Sequence, residues 1–217
     1  MATETRTPLS RDRILAVALE MADEGGLEAL SMRKLGQALG VEAMSLYNHV
    51  ANKDDVIDGI LDLVLAETEP PPPADEWDVA IRKSAISIHD ALRRHRWAGS
   101  LLMSRARPGR LDYMDSLLRR LREAGFSADT TFTTYHVLDG HIFGFSLWEN
   151  THVYTAQQVE EMEELFEKSI TAEAYPYLRE HGEQHFVEGP HREVSSFELA
   201  LDLILDGMKR ELARQSG

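Results

Sequence analysis

Residues 30–53 read LSMRKLGQALGVEAMSLYNHVANK, and this stretch decides the fold of the amino-terminal part of the chain. Ser31 can cap a helix that ends at Gly40, and Val41 fills the turn before a second short helix that begins near Glu42. The spacing of the apolar residues packs these two helices at a steep angle, as a helix-turn-helix requires. Those apolar residues are Leu35, Leu39, Val41, Leu46 and Val50.

The second of these helices is short and polar, which suits a helix that enters the major groove of DNA. Asn48 and His49 can hydrogen-bond to base edges, and Met44 can touch a thymine methyl group. Arg33 and Lys53 are suited to phosphates, which position a protein on DNA without specifying the sequence. The alternative interpretation is a plain three-helix cap. The positions predicted to face away from the core are Ala43, Met44, Ser45, Tyr47, Asn48 and His49.

Helix signals continue along the whole chain, whereas strand signals are weak. The first helix is expected to stop at Gly25 and Gly26, and four consecutive prolines at 70–73 favour a stiff, extended connector. We therefore expect two domains, a head at residues 1–67 and a body at residues 68–217. The predicted fold class is all-α: a three-helix head with the helix-turn-helix, joined to a larger helical domain for ligand binding and dimerisation. Nine or ten helices are predicted in total.

The charge of the chain is unevenly distributed. Its 217 residues include 23 basic and 37 acidic side chains, which gives a net charge of −14. Residues 1–53 hold a net of −1, residues 54–81 a net of −9, residues 82–122 a net of +8 and residues 123–217 a net of −12. An average this acidic argues against a protein that coats nucleic acid non-specifically, but it permits a short DNA-reading domain. The basic stretch is predicted to be a solvated or ion-paired face, and the alternative is that some of its arginines bind an anionic effector or steer DNA.

Several classes of site are excluded by composition. There is no cysteine, so disulfides, zinc–thiolate sites, iron–sulfur clusters and thiol nucleophiles are absent. Residues 1–12 hold no apolar run that would predict a signal peptide, and no segment approaches the roughly 20 apolar residues of a membrane helix. We expect a soluble, cytoplasmic protein without a cofactor. His181, His185 and His191 lie in a stretch predicted to be a solvated loop rather than a metal site.

Three segments resemble the DNA-binding domain of the tetracycline repressor (TetR) family: RILAVALEMADEGG at 13–26, LSMRKLGQALG at 30–40 and VEAMSLYNHVANKDDVIDGIL at 41–61. The most specific part runs from Leu46 to Lys53. The resemblance implies a homodimeric transcriptional repressor that binds palindromic operator DNA and is released when a small molecule enters the body. It places the DNA-contacting positions at Arg33, Ala43, Met44, Ser45, Tyr47, Asn48, His49 and Lys53.

The last predicted helix, from Phe197 to Leu212, carries a broad apolar stripe that calls for a packing partner. The resemblance implies that this helix and the long helix at 127–150 form a four-helix interface with a second subunit. Gly140 and Gly144 lie four residues apart and would let another helix approach closely. The alternative is that the stripe packs on its own body. The predicted interface residues are Gly140, Gly144, Phe197, Leu201, Ile204, Leu205 and Met208.

A helical body with polar groups set into aromatic faces can hold a ligand. The namesake of the family holds a drug–magnesium chelate through a histidine just before an Arg-Pro step, and Met103 occupies the matching position here. Because a thioether is no ligand for a hard cation, we expect an apolar or aromatic effector and no magnesium. For each polar residue taken alone, a satisfied core or interface role is the alternative. The predicted lining is His89, Met103, Arg107, Met114, His136, His141, Phe143, Trp148 and Glu149.

Two other functions compete with the repressor. One is a dimeric helical ligand-binding or interaction protein without operator binding, and the other is a helical enzyme. The sequence holds no Ser-His-Asp order, no glycine-rich phosphate loop and no metal triad at helical spacing, so we predict no enzymatic activity. Tyr47, His49 and Lys53 match the family in residue type, which favours operator binding.

Overall fold

The chain is all-helical in the part that the structure describes. The computed structural model describes residues 8–151, 156–183 and 195–215, and these ranges form eleven α-helices and no strand. This confirms the predicted all-α class. The count exceeds nine or ten because two short helices, Ala98–Ser104 and Pro176–Gly182, form in segments where no helix is predicted. The helices are α1 (Arg11–Ala29), α2 (Met32–Leu39), α3 (Ala43–Leu46), α4 (Lys53–Ala66), α5 (Trp77–Arg94), α6 (Ala98–Ser104), α7 (Pro108–Glu123), α8 (Ala128–Thr151), α9 (Ala156–Ser169), α10 (Pro176–Gly182) and α11 (Ser196–Gln215).

Side-chain caps begin three of the head helices. The Ser10 hydroxyl accepts from the backbone N–H of Arg13, and Ser31 caps α2 in the same way through Lys34. The side chain of Asn52 accepts from the backbone N–H of Asp55 at the start of α4. Each cap satisfies an amide that has no partner inside its helix, which fixes where the helix begins.

The end of α1 differs from the prediction. Gly26 adopts a φ of 69°, a left-handed conformation that glycine tolerates, and it interrupts the helix as expected. One further turn follows it, so that α1 ends at Ala29, and Leu30 then donates to the carbonyl of Leu27. The kink carries Leu30 into the core of the head, where it is 2% exposed.

Helix α4 is shared between the head and the body. It packs on α1 on one side and on α5, α6 and α7 on the other. Gly59 permits the close crossing with α1, because a Cβ there would lie 2.6 Å from a methyl of Leu15. On the other side, Leu65 lies against Gly109 at the start of α7, 3.4 Å from where a Cβ would stand. One continuous apolar core therefore runs from the head into the body.

The body is built around α8, which packs on α5, α6, α7 and α11. The connector between α4 and α5 is fastened to α5 at two points. The Ser84 hydroxyl donates to the carbonyl of Glu69 at 2.7 Å, and the backbone N–H of Glu69 donates to the Ser87 hydroxyl at 2.9 Å. The link that follows the head therefore has a fixed path along the body.

Replacing Gly36 by alanine should destabilise the head. A Cβ there would lie 3.0 Å from the carbonyl oxygen of Val41 and 3.2 Å from backbone atoms of Ala43, and backbone in a tight turn cannot move aside cheaply. This clash should outweigh the gain of about 1 kcal/mol that alanine has over glycine in a helix. Thermal unfolding followed by circular dichroism measures it. Gly99→Ala is the matched control, because its Cβ would make only an ordinary contact of 3.5 Å with Leu147. A Gly36→Ala protein as stable as Gly99→Ala would contradict this packing.

Candidate functional site

The turn between α2 and α3 has the tight geometry of a helix-turn-helix. Gly40 ends α2 in the left-handed conformation, with a φ of 67°, and the N–H of Val41 donates to the carbonyl of Gly36. Leu46 and Val50 are buried beneath the following segment, at 0% and 3% exposure. The two apolar anchors hold that segment against the head and leave its other side in solvent.

The predicted DNA-contacting positions lie on this outer side. Met44 is 75% exposed and Tyr47 is 45% exposed. Helix α3 itself is only four residues long, and Tyr47, Asn48 and His49 follow it in a turn rather than in a continued helix. Arg33, Asn48, His49 and Lys53 are also exposed, whereas Ala43 and Ser45 are half-buried.

An ion pair that the sequence did not reveal holds this segment in place. The Arg11 guanidinium donates to both carboxylate oxygens of Asp55, at 2.9 Å and 2.7 Å. The same carboxylate accepts from the backbone N–H of Ala51 at 2.8 Å, and Arg11 also lies 3.5 Å from the carbonyl of His49. Helix α1, the turn after α3 and the start of α4 are thereby tied together. A local sequence pattern cannot reveal a contact between residues 44 positions apart. From the sequence, Asp55 is identified only as the residue whose backbone N–H is capped by Asn52.

Disrupting this pair should cost stability in a pH-dependent way. The hydrogen bond from Arg11, followed by that from the Ala51 amide, lowers the pKa of Asp55 from 3.8 to about 2. A lowered folded pKa gives stability that is complete above the unfolded value and is lost as the pH falls from about 4 towards 2. Arg11→Met should therefore lower stability by about 1 kcal/mol at pH 7.

The difference between Arg11→Met and the parent should shrink as the pH is lowered through this range, which melting curves from pH 7 to pH 2.5 would measure. Arg33→Met, an exposed arginine on α2, is the control for loss of one positive charge. A difference that stays constant with pH would contradict the role assigned to Asp55.

The acidic face of α4 meets arginines of the body, in what we call the ionic joint. Asp58 accepts a hydrogen bond from Arg105 at 2.6 Å through one oxygen, and its other oxygen forms an ion pair with Arg107 at 2.9 Å. Asp54 lies 3.3 Å from Arg105, and Asp62 pairs with Arg107. The acidic and basic stretches of the sequence therefore neutralise each other here. Arg107, predicted to line the pocket, lies in this joint instead.

A second cluster joins the head to the end of α5. His95, only 6% exposed, has Nδ1 at 2.8 Å from Asp23 of α1 and Nε2 at 3.1 Å from Glu67, just after α4. Trp97 donates its indole N–H to Asp23, and Arg94 pairs with Glu67. Burial alone would raise the pKa of Glu67, but hydrogen bonds from Arg94 and His95 outweigh it and lower that pKa.

Asp58→Asn should weaken the ionic joint at both arginines. We expect a loss of about 1–2 kcal/mol at low salt, because two partly buried guanidinium groups lose their shared carboxylate. The loss should shrink at high salt, which already screens such pairs. Chemical denaturation at 20 mM and 500 mM sodium chloride measures both effects. The control is Asp115→Asn, which removes an exposed pair with Arg119 on the surface of α7. Equal effects of the two substitutions would show that the joint contributes nothing beyond a surface ion pair.

A cavity of about 310 Å³ opens between α5, α8 and the start of α11. This volume is at the lower end of the range for small-molecule sites. Its walls combine aromatic rings with a few polar groups. The side chains that define it are His89, Arg93, Phe145, Trp148, Glu149 and Phe197.

The Phe197 ring is held between two histidine rings. The His89 ring lies parallel to it at 3.7 Å between centroids, and the His141 ring lies on its other side at 4.7 Å. His141 also donates from Nε2 to the Phe197 carbonyl at 3.0 Å. Burial lowers the pKa of His89 to about 4 and also lowers the pKa of His141. This stack fixes the start of α11 on α8.

The structure brings three of the predicted pocket residues to the cavity wall, namely His89, Trp148 and Glu149, with His141 one ring behind them. It places the others elsewhere. Phe143 is buried under the guanidinium of Arg110, which pairs with Asp139. Met114 is half-buried, and Met103 and His136 are exposed. Phe145 and Phe197 line the cavity although they were not predicted to. The apolar residues of α8 follow no single helical face, and Phe197 was assigned to the interface stripe of the last helix.

The predicted interface residues divide into two groups. Gly140 and Gly144 lie on an open face of α8, where a Cβ would meet nothing within 4 Å. Residues of α11 pack instead within the same chain: Phe197, Leu201, Leu205 and Met208 are buried, and Ile204 is half-buried. The exposed stripe of α8 repeats every four residues, at Phe132, His136, Gly140, Gly144 and Trp148. On α11, Leu203 is the large apolar residue left exposed, at 66%.

His185 and His191 lie outside the described residues. Within residues 8–151, 156–183 and 195–215, no group of three histidine, cysteine or acidic side chains is arranged to hold a metal ion. No helix in these same ranges is both long and apolar enough to span a membrane.

Two parts of the chain match known protein families. Residues 14–60 match the family "Bacterial regulatory proteins, tetR family", and residues 69–212 match the "Tetracyclin repressor-like, C-terminal domain". The chain belongs to the TetR family. The HTH-type transcriptional repressor DrrR1 of Streptomyces coeruleorubidus is 29% identical, over 96% of this chain and 80% of that protein. The tetracycline repressor protein class D of Escherichia coli is also 29% identical, over 91% of this chain and 93% of its own length.

Solved structures of the TetR-family protein ActR from Streptomyces coelicolor are similar to this chain over nearly its whole length. Its complex with actinorhodin matches with a TM-score of 0.75 and 28% identity, over 94% of this chain and 96% of that one. Its complex with (S)-DNPA matches with a TM-score of 0.69 and 29% identity, over 95% and 100%. This TetR-family chain is a ligand-responsive transcriptional repressor. Members of the family bind DNA and small-molecule effectors, are typically dimeric and are typically not enzymes.

Proposed function

We propose that two copies of this chain form a homodimer that binds a palindromic operator and represses transcription until a small molecule enters the body. The recognition surface is the observation that carries the proposal. Tyr47, Asn48 and His49 stand in solvent directly above the buried anchors Leu46 and Val50. Side chains held rigidly outward on a helix-turn-helix are placed to reach base edges and phosphates in a major groove.

The residues on this surface have separate proposed roles. Met44, Asn48 and His49 contact bases, whereas Arg33 and Lys53 contact phosphates. Lys53 is the first residue of α4, and its Nζ lies 3.4 Å from the carbonyl of Leu27 near the end of α1. This contact holds the side chain against the head. The remaining proposed contacts are made by Ala43, Ser45 and Tyr47.

The exposed stripe of α8 is the proposed dimer surface. Small residues at its centre, Gly140 and Gly144, would allow a second helix to come close, while Phe132 and Trp148 at its ends supply apolar area. Leu203 of α11 extends the apolar surface. Pairing through this face would set two heads at a fixed spacing, and an operator with half-sites about one helical turn apart, near 34–36 Å, requires such a spacing.

The cavity beside His89 and Glu149 is the proposed effector site. Its aromatic walls suit an apolar or aromatic compound, and ActR, a relative of similar fold, binds actinorhodin and (S)-DNPA. Met103 lies exposed on α6, outside this cavity, so the proposed absence of magnesium rests only on the chemistry of its thioether, which is no ligand for a hard cation. An effector that prefers a different spacing of the heads would lower operator affinity by its differential binding to the two states.

We further propose that the chain has no enzymatic activity and acts in the cytoplasm, where bacterial DNA lies. The division into a head at residues 1–67 and a body at residues 68–217 is proposed with it. The two family matches support this division, because the first ends at residue 60 and the second begins at residue 69.

Operator binding is tested with duplexes selected by the protein from a random DNA library. We expect palindromic sequences bound by two chains, with an affinity that falls steeply as salt rises, because phosphate contacts release counterions. Lys53→Ala should weaken all selected duplexes about equally and reduce the salt dependence, whereas Asn48→Ala should change which sequences are preferred. Fluorescence anisotropy of labelled duplexes measures both.

Lys83→Ala is the matched control, because this lysine lies on α5 of the body, where it pairs with Asp75. It should bind like the parent. The proposal fails if no sequence is enriched, if affinity is independent of salt, or if both head variants bind like Lys83→Ala.

A further inference from the structure

The recognition surface, formed by α3 and the turn that follows it at residues 47–49, presents an apolar group at its leading edge. Met44 is the second residue of α3, and it is 75% exposed. Residues at the start of a recognition helix are the ones that meet base edges in a major groove. Ala43 before it is half-buried, because α3 begins against Gly36, where a Cβ would lie 3.2 Å from the backbone of Ala43. Met44 is therefore the largest side chain that the start of α3 offers to DNA.

Asn48 offers an amide group on the same surface, four residues later. It lies between the buried anchors Leu46 and Val50 and is itself exposed, and no hydrogen bond joins its side-chain amide to any residue that the structure describes. The backbone around it is fixed, because the N–H of Asn48 lies 3.4 Å from the Ser45 carbonyl and that of Val50 donates to the Leu46 carbonyl at 3.0 Å. An amide held in this way can accept one hydrogen bond and donate another to a single base edge.

The four bases differ in the groups that they present in the major groove. Adenine has an N7 acceptor beside an N6 donor, which an asparagine amide matches with two hydrogen bonds, and thymine has a C5-methyl group, which an apolar side chain contacts. Guanine is recognised most often by arginine or lysine, and cytosine by a carboxylate. Residues 43–49 have the sequence AMSLYNH, which contains no arginine, lysine, aspartate or glutamate. The side chains of this surface therefore match adenine and thymine.

We propose that the recognition surface selects A·T base pairs in each operator half-site, with Met44 against a thymine methyl group and Asn48 on an adenine edge. The Asn48 amide accepts a hydrogen bond from N6 of that adenine and donates one to N7. This inference rests on the proposed function in taking α3 and the turn after it as the surface that enters the major groove. Arg33 and Lys53 contact phosphates in the proposed complex, and such contacts carry no base preference.

Single-group changes in the DNA test each contact separately. Operators are first selected from a random library with the full chain. In the selected duplex, the thymines of one half-site are replaced one at a time by deoxyuridine, which lacks the methyl group. The adenines are replaced one at a time by 7-deazadeoxyadenosine, which has a C–H in place of N7. Dissociation constants are measured by fluorescence anisotropy at constant salt.

The parent chain should be sensitive to one thymine and one adenine of the half-site. We expect deoxyuridine at the thymine to weaken binding about 4-fold, which corresponds to one methyl group removed from an apolar contact. The 7-deaza change at the adenine should weaken binding about 10-fold, because the Asn48 amide loses an acceptor in a desolvated interface.

Variants of the two side chains should remove these effects at different bases. Met44→Ala should bind the original and the deoxyuridine duplex about equally, while it stays sensitive to the 7-deaza change, and Asn48→Ala should show the reverse. Both residues are exposed, so both variants should melt like the parent. Met162→Ala and Gln157→Ala, at exposed positions of α9, are the matched controls and should respond to both base changes as the parent does.

The inference is wrong if either head variant responds to every replaced base as the parent does. It is also wrong if the base pairs whose preference changes in Met44→Ala and Asn48→Ala are G·C. In both cases an operator is still bound, so the proposed function would stand. Failure to enrich any duplex is a different outcome, since it removes operator binding itself and with it the surface on which this inference rests.

Discussion

The carboxylate of Asp58 lies between two arginines of the body, and the attachment of the head depends on this contact. The acidic stripe of α4 would be self-repelling in isolation, since Asp54, Asp58 and Asp62 succeed one another at one turn's spacing. Arg105 and Arg107 turn this repulsion into attraction, because each bridges two of the three carboxylates. The head is consequently held by charge on one side of α4 and by apolar packing around Leu65 on the other.

The cavity and the ionic joint are connected by short contacts. Trp148 and Glu149 form part of the cavity wall, and the next residue, Asn150, donates to the carbonyl of Arg96 at 3.3 Å. Arg96 lies in the turn between α5 and α6, directly after His95, whose ring contacts Asp23 of α1 and Glu67 after α4. From this turn, α6 leads within ten residues to Arg105. A ligand that shifts the end of α8 would therefore act on the turn that contacts α1 and the end of α4 and that leads through α6 to Arg105, which gives a physical route from effector to head.

Local patterns in the sequence predicted the elements of the head, and long-range contacts escaped them. The caps at Ser31 and Asn52 and the turn at Gly40 each depend on residues within three or four positions, so their identity alone fixed the geometry. The cavity was predicted in part: His89 and Glu149 stood out as polar groups on apolar helices. Arg107 was misplaced because an arginine looks the same in sequence whether it faces a ligand or an aspartate 45 positions earlier. From the sequence, Phe197 looks like part of an exposed apolar stripe. Its packing between the rings of His89 and His141 cannot be predicted, because neither histidine is near it in sequence.

The distribution of charge also determines how salt acts on this repressor. Raising the salt concentration weakens contacts between the head and DNA phosphates, and it screens the ionic joint at the same time. These effects differ in kind, because the first would change operator affinity directly and the second changes how firmly the head is held on the body. The proposed phosphate contact of Lys53 belongs to the first and the ion pairs of Asp58 to the second, although the two residues lie on the same helix. A steep salt dependence of operator binding is therefore a sum of two terms. Only a variant that lacks the ion pairs of the ionic joint would show the salt dependence of the phosphate contacts alone.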